Sequence, residues 1–125
     1  MSLVEVCKGF LENAKLVDQK SPTGIAAWES AFYLPGVLCA GIEEFRSGRI
    51  VTEEIPHSEA LLILDGEGEI RERKKKETVL VEKGDIVLFK KGAELTIIPK
   101  TPLRAFFVTV PPYQETPSKL SKEEN

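Results

Sequence analysis

The stretch TEEIPHSE, residues 52–59, concentrates side chains that could transfer protons or bind a cation. It contains Glu53, Glu54 and Glu59, together with His57, the one histidine of the chain. Two carboxylates held close together could bind a hard cation through their oxygens. They could also act as acid and base, because each carboxylate raises the pKa of the other. The same stretch equally fits a solvated edge or loop.

Glu59 is the strongest single candidate. In EALLILD it shares one face of a predicted strand with Leu61 and Ile63. An ionised carboxylate on such a face needs a partner. We therefore predict catalytic roles for Glu59, Glu54 and His57.

Structural explanations for these residues stay open. Glu59 could pair with an arginine such as Arg46, Arg49 or Arg104, or could lie at a wet rim. His57 follows Pro56, which is typical of a histidine in a surface loop. Of the neighbouring pair Glu43 and Glu44, one must face each side of a strand, and either could join an acidic cluster.

Most of the chain predicts strands, with turn signals every eight to twelve residues. Residues 2–19 instead have apolar side chains at helical spacing and a capping box at Ser2 and Glu5, which predicts an amphipathic helix. A short strand at LVEV is the alternative. We expect an N-terminal helical and linker segment (1–24), a barrel (25–113) and a flexible tail (114–125). The helical spacing is carried by Val4, Cys7, Phe10, Leu11, Ala14 and Val17.

Size and charge exclude several classes of protein. The 125 residues suit one domain, and the net charge of −3 with mixed signs argues against a nucleic-acid surface. No apolar run predicts a membrane span. Glu5 and Lys8 interrupt the apolar start, which makes a poor signal peptide, so a cytoplasmic location is expected. Cys7 and Cys39 do not have metal-site spacing, and we expect both thiols to be reduced.

The strand EALLILD is apolar on both faces in its middle. One face would line the core, and the other would pack against the N-terminal helix or a second subunit. A homodimer is the commonest closed oligomer, so we expect one.

Two glycine-rich phrases, LDGEGEI and VEKGDIVLFKKG, resemble the cupin superfamily. Glu59 and Gly66 match the end of the first cupin motif, and Gly84 and Gly92 match the glycines of the second. Seventeen residues separate Gly66 from Gly84, as in a compact cupin. The resemblance implies an all-β cupin double-stranded β-helix, a jelly-roll barrel, with a short N-terminal helix.

The resemblance also implies a metal site that this chain does not reproduce. Many cupins hold a metal with three histidines and the motif glutamate. Here the first two histidine positions fall on Thr52 and Glu54, or on Glu53 and Ile55, and the last falls on Leu95. Lys90 also replaces the expected proline. We therefore predict no metal and no cofactor.

Histidine-poor cupins of the ethanolamine-utilisation protein Q type are more similar, through AAWESAFYLPG and SEALLILDGEGEI. The preferred hypothesis is a protein that binds a small molecule in its barrel. The alternative is an isomerase, epimerase or lyase, or a metal-dependent cupin enzyme, that uses Glu59 with Glu54 or His57. The residues predicted to bind the ligand are Trp28, Thr52, Leu61, Ile63 and Leu95.

Overall fold

One helical turn and ten strands follow one another in the computed structural model, which describes residues 3–20 and 24–112. The predicted tail, 114–125, lies outside the described residues, and the proposed domain boundaries stay predictions. The elements are α1 (Phe10–Asn13), β1 (Val17–Lys20), β2 (Gly24–Leu34), β3 (Leu38–Gly48), β4 (Ile50–Val51), β5 (Ser58–Asp65), β6 (Glu67–Glu72), β7 (Glu77–Glu82), β8 (Ile86–Phe89), β9 (Leu95–Pro99) and β10 (Leu103–Val110).

The strands form two antiparallel sheets. The larger sheet has the order β1-β2-β3-β10-β5-β8, and the smaller has the order β4-β9-β6-β7. Strands that are distant in sequence therefore lie side by side, as β10 does between β3 and β5. This arrangement confirms the predicted all-β jelly roll with a short N-terminal helix.

The inner faces of the two sheets enclose the hydrophobic core. Alternation along β5 and β10 directs Leu61, Ile63 and Phe107 inward, where each is at least 98% buried. Phe106, the neighbour of Phe107, points outward and is 41% exposed, as alternation predicts.

A glycine corner joins the two sheets between β5 and β6. Gly66 has a φ of +89°, and a Cβ there would lie 2.0 Å from the carbonyl oxygen of Pro102. The chain on either side of Gly66 therefore forms two strands in different sheets, β5 and β6. Gly84 and Gly92, the two glycines that match the second cupin motif, also have positive φ.

The predicted helix over residues 2–19 is wrong in its extent. Within the described part of this segment, only Phe10–Asn13 is helical, and Val17–Lys20 pairs with β2 as strand β1. Val4 and Leu11, on the predicted apolar face, are 80% and 48% exposed, so this face has little to pack against. Backbone pairing along β2 overrides the helical pattern. Ser2, half of the predicted capping box, lies outside the described residues.

The outer face of the six-stranded sheet is apolar and partly uncovered. Leu62 on β5 is 38% exposed, so the second face of this strand is only partly covered within one chain, and its predicted packing against a second subunit stays a prediction. None of the helices in the described ranges has the length and apolar character needed to cross a membrane. The cytoplasmic location stays a prediction.

Candidate functional site

A cavity of about 100 Å³ lies between the two sheets. Its wall is mostly apolar, and four aromatic residues contribute to it: Trp28, Phe45, Phe89 and Phe107. Trp28 and Phe107 pack edge to face, with ring centroids 6.5 Å apart. The polar lining residues are Glu43, Thr52, His57, Glu59 and Thr109.

Two carboxyl groups meet in this wall. Glu43 on β3 and Glu59 on β5 are hydrogen-bonded to each other across the intervening strand β10. Burial raises the pKa of Glu43 well above its ordinary value, and the charge and hydrogen bond of Glu59 raise it further. Glu43 therefore keeps its proton at a pH where an exposed glutamate is ionised. It is the member of the Glu43–Glu44 pair that faces inward.

Each carboxyl group has one oxygen left over. Glu43 Oε1 and Glu59 Oε2 are inaccessible to solvent and have no hydrogen-bond partner in the described structure. Glu59 as a whole is only 9% exposed. Buried acceptors in this state are rare in native proteins, and they mark positions where a ligand or water is expected.

His57 belongs to the same site. It is 2% exposed, and its Nε2 lies 3.5 Å from Glu59 Oε1. The interpretation of His57 as a surface loop residue is therefore wrong. His57 lies two residues before Glu59, so it shares the inward face of the strand that begins at Ser58.

The described lining contains neither lysine nor arginine. Arg46, a suggested partner of Glu59, instead pairs with Asp18 and Glu44, at 2.8 Å from the latter. Arg104 approaches Glu44 at 3.6 Å. Both arginines thus pair with Glu44, whose side chain points outward. The described lining of the cavity therefore holds acidic groups but no lysine or arginine.

Glu54 does not join the site. It is exposed, does not line the cavity, and its carboxylate lies 3.3 Å from Lys74 Nζ. The expected inward pair of Glu54 and Glu59 is wrong because the chain after β4 leaves the sheet and turns Glu54 toward solvent. Glu43, rather than the predicted Glu54, is the carboxyl group that lies beside Glu59 in the cavity.

Of the predicted ligand-binding residues, Trp28, Thr52 and Leu95 line the cavity. Thr52 and Leu95 are joined backbone to backbone and also through the Thr52 hydroxyl, which accepts a hydrogen bond from Leu95 N at 2.9 Å. Leu61 and Ile63 do not line the cavity. They follow Glu59 along β5 into the closed part of the core, which corrects their predicted place in the site.

The usual cupin metal group does not fit these residues. Leu95 is 4% exposed and lines the cavity at the position where the resemblance expects a histidine. Across residues 3–20 and 24–112, no group of three or more His, Cys, Asp or Glu side chains is placed to hold a metal ion.

A larger groove of about 730 Å³ opens between the edge strands β7 and β8. It is a wide surface depression bordered by charged residues such as Lys74, Lys75 and Lys90. Neither Glu43 nor Glu59, whose buried carboxyl oxygens have no partner among the described residues, belongs to its lining. The smaller inner cavity is therefore the candidate site.

No protein-family model matches the chain, and no curated protein matches its sequence. Several solved structures are similar. The EutQ protein of Clostridium difficile has a TM-score of 0.65 at 19% identity, over 77% of this chain and 69% of that chain. Ectoine synthase from P. lautus has a TM-score of 0.67 at 19% identity, over 86% of this chain and 79% of that chain. The Cnp3 cupin domain of Schizosaccharomyces pombe has a TM-score of 0.65 at 19% identity, over 80% of this chain and 70% of that chain.

These similarities show the fold of the protein. The chain has the cupin fold, and the predicted resemblance to cupins of the EutQ type is confirmed at the level of structure.

Proposed function

We propose that this cupin-fold protein binds a small molecule in the inner cavity, against Glu43 and Glu59. The observation that supports this is the pair of buried carboxyl oxygens that have no partner among residues 3–20 and 24–112. Leaving a buried polar atom unsatisfied costs about 1–3 kcal/mol. A ligand that donates hydrogen bonds to these oxygens removes that cost, and this gain in free energy favours binding.

The volume of the cavity limits the size of the ligand. About 100 Å³ is smaller than the 300–1,000 Å³ of typical drug-sized sites. An apolar cavity of about 150 Å³ accommodates benzene. The ligand is therefore a compact molecule with an apolar part that contacts the aromatic wall and a polar part that reaches the carboxyl pair.

A second candidate function is acid–base catalysis by an isomerase, epimerase or lyase. The observation that favours it is the raised pKa of Glu43 beside a second carboxyl group and His57. Such a pair separates a proton donor from a proton acceptor at neutral pH. In this version Glu43 takes the role that the sequence gave to Glu54.

Binding is tested with a variant that fills the cavity. Leu95→Phe places a ring in the cavity wall, whereas Leu80→Phe makes the same change on β7 at a side chain that is 78% exposed. We expect a panel of small amines, alcohols and carboxylates to contain a compound that raises the melting temperature of the wild type and of Leu80→Phe, but not of Leu95→Phe. If no compound distinguishes the two variants, the proposed function is wrong.

We also propose that the chain forms a homodimer through the outer face of the six-stranded sheet. Strand register places two apolar rows on this face. Ile86 and Leu88 at its edge are 80% and 59% exposed. The rows are Ile42–Phe106–Leu62–Ile86 and Ala40–Val108–Ala60–Leu88.

A second copy of this chain is the occupant that best suits this face. The same chain carries a second uncovered apolar surface, because Leu3, Val4 and Val6 are 93%, 80% and 70% exposed. In a two-fold dimer, each N-terminal segment can cover the exposed half of the partner sheet. One closed interface then buries both surfaces.

A further inference from the structure

The polar atoms of the cavity wall define the chemistry that a ligand must bring. Glu43 Oε1 and Glu59 Oε2 can accept hydrogen bonds and have no donor in the described structure. A ligand that satisfies both oxygens must carry at least two donors, on one atom or on neighbouring atoms. An ammonium group carries its donors on a single nitrogen, which suits two carboxyl groups that lie within hydrogen-bonding distance of each other.

The charge of the cavity wall also favours a cationic ligand. The lining holds two carboxyl groups and no lysine or arginine in the described chain. An anionic ligand would add a like charge beside the buried Glu59, which is unfavourable. A cation instead compensates the charge that ionisation of both carboxyl groups would create.

The aromatic wall accommodates both the charge and the carbon skeleton of such a cation. Trp28, Phe45, Phe89 and Phe107 surround the same cavity. Aromatic faces attract cations, and this attraction grows when water is excluded. With a volume of about 100 Å³, the cavity has room for an alkyl chain of roughly four carbons.

We propose that the cavity binds a small primary alkylammonium ion, whose N–H groups donate to Glu43 and Glu59 and whose alkyl part packs against Trp28 and Phe107. This inference rests on the proposed function and narrows its ligand class. Binding shifts the Glu43 carboxyl toward its ionised form, so protons are released from the site as the cation enters.

The test compares three probes of nearly equal shape: n-butylammonium, n-butanol and butyrate. In wild-type protein at pH 7.5, titration calorimetry is expected to give an affinity for n-butylammonium at least about ten-fold higher than for n-butanol, as expected for charge-assisted hydrogen bonds. Butyrate is expected to bind more weakly than either. The heat of n-butylammonium binding is expected to vary with the ionisation enthalpy of the buffer in the direction of proton release.

Variants separate the site from general charge effects. Glu43→Gln and Glu59→Gln each remove one carboxyl group from the cavity and are expected to reduce the preference for n-butylammonium over n-butanol to less than about three-fold. Glu54→Gln makes the same substitution at the exposed ion pair with Lys74 and is expected to keep the preference.

The outcomes distinguish the ligand class from the function. If n-butanol or butyrate binds as tightly as n-butylammonium, and Leu95→Phe abolishes that binding, the cavity is a ligand site and the ammonium proposal is wrong. The ammonium proposal is also wrong if Glu54→Gln loses the preference as fully as the cavity variants. If none of the probes and none of the panel compounds binds in a manner that Leu95→Phe blocks, both proposals are wrong.

Discussion

Glu43 and Glu59 face each other inside the barrel, hydrogen-bonded across β10, and the pKa of Glu43 is raised because its carboxyl group is buried beside a second one. Each retains one buried oxygen without a partner in the described structure. The chain thus places two acidic groups in a wall that is otherwise largely apolar.

This relationship predicts how stability depends on pH. The folded state holds the Glu43 proton more tightly than the unfolded state, so stability falls as pH rises from about 4.5 through the raised pKa. Glu43→Gln removes this loss. Between about pH 4.5 and the raised pKa, the melting temperature of Glu43→Gln is expected to rise relative to that of the wild type by about 5 °C per pH unit. The measurement is thermal unfolding from pH 4.5 to 8.5.

The control for this experiment is Glu54→Gln, which removes a carboxylate from the surface and is expected to change stability by no more than about 0.5 kcal/mol. Parallel melting curves for the wild type and Glu43→Gln over the whole pH range would contradict the account of this carboxyl pair.

The corner at Gly66 predicts an unequal cost for two chemically identical substitutions. Gly66 and Gly36 both have positive φ, +89° and +72°. A Cβ at Gly66 would lie 2.0 Å from Pro102 O, whereas a Cβ at Gly36 has no atom within 4 Å. Gly36→Ala is expected to cost about 1–2 kcal/mol from backbone strain alone. Gly66→Ala is expected to cost at least about 3 kcal/mol, measured by urea unfolding. Equal costs would show that the contact with Pro102 does not constrain the corner.

The hydrogen bond between Thr52 and Leu95 predicts a smaller loss of stability than the one expected for Gly66→Ala. Thr52→Val removes the acceptor of the hydrogen bond from Leu95 N, and Leu95 is 4% exposed. We expect a loss of about 1 kcal/mol in the free energy of unfolding. Thr52→Ser keeps the hydroxyl and is expected to lose less. If Ser and Val variants are equally stable, this hydrogen bond does not contribute.

The proposed dimer predicts a difference between two exposed leucines. Leu88→Glu places a charge within the apolar rows of the six-stranded sheet, whereas Leu80→Glu places one on the outer face of the other sheet. Light scattering is expected to give twice the 13.9 kDa chain mass for the wild type and Leu80→Glu, and a single chain for Leu88→Glu. A wild-type monomer at micromolar concentration would contradict the dimer.

Much of the fold could be predicted from the sequence because glycines and alternation report local geometry. Gly84 and Gly92 marked turns that do have positive φ. The predicted helix failed because helical spacing does not reveal whether a neighbouring strand offers backbone partners. β2 offers them to Val17–Lys20, and pairing there ends the helical pattern.

The site was only partly predictable, since alternation gives two faces without stating which is inside. For this reason the sequence alone does not decide whether Glu43 or Glu44 faces inward. A usable signal was present in β3, because Glu44 shares its face with Arg46, which favours solvent, whereas Glu43 shares its face with Phe45. The same parity, extended back from Glu59, would have placed His57 inside.

The central claim is that the inner cavity is a ligand site built on Glu43 and Glu59. The most direct measurement is carbon NMR of the glutamate side-chain carboxyl groups during titration with the small-molecule panel and n-butylammonium. The account predicts saturable shifts of the Glu43 and Glu59 carboxyl signals in wild-type protein, no shift at Glu54, and loss of the response in Leu95→Phe. Carboxyl signals of Glu43 and Glu59 that stay unchanged with every compound would contradict it.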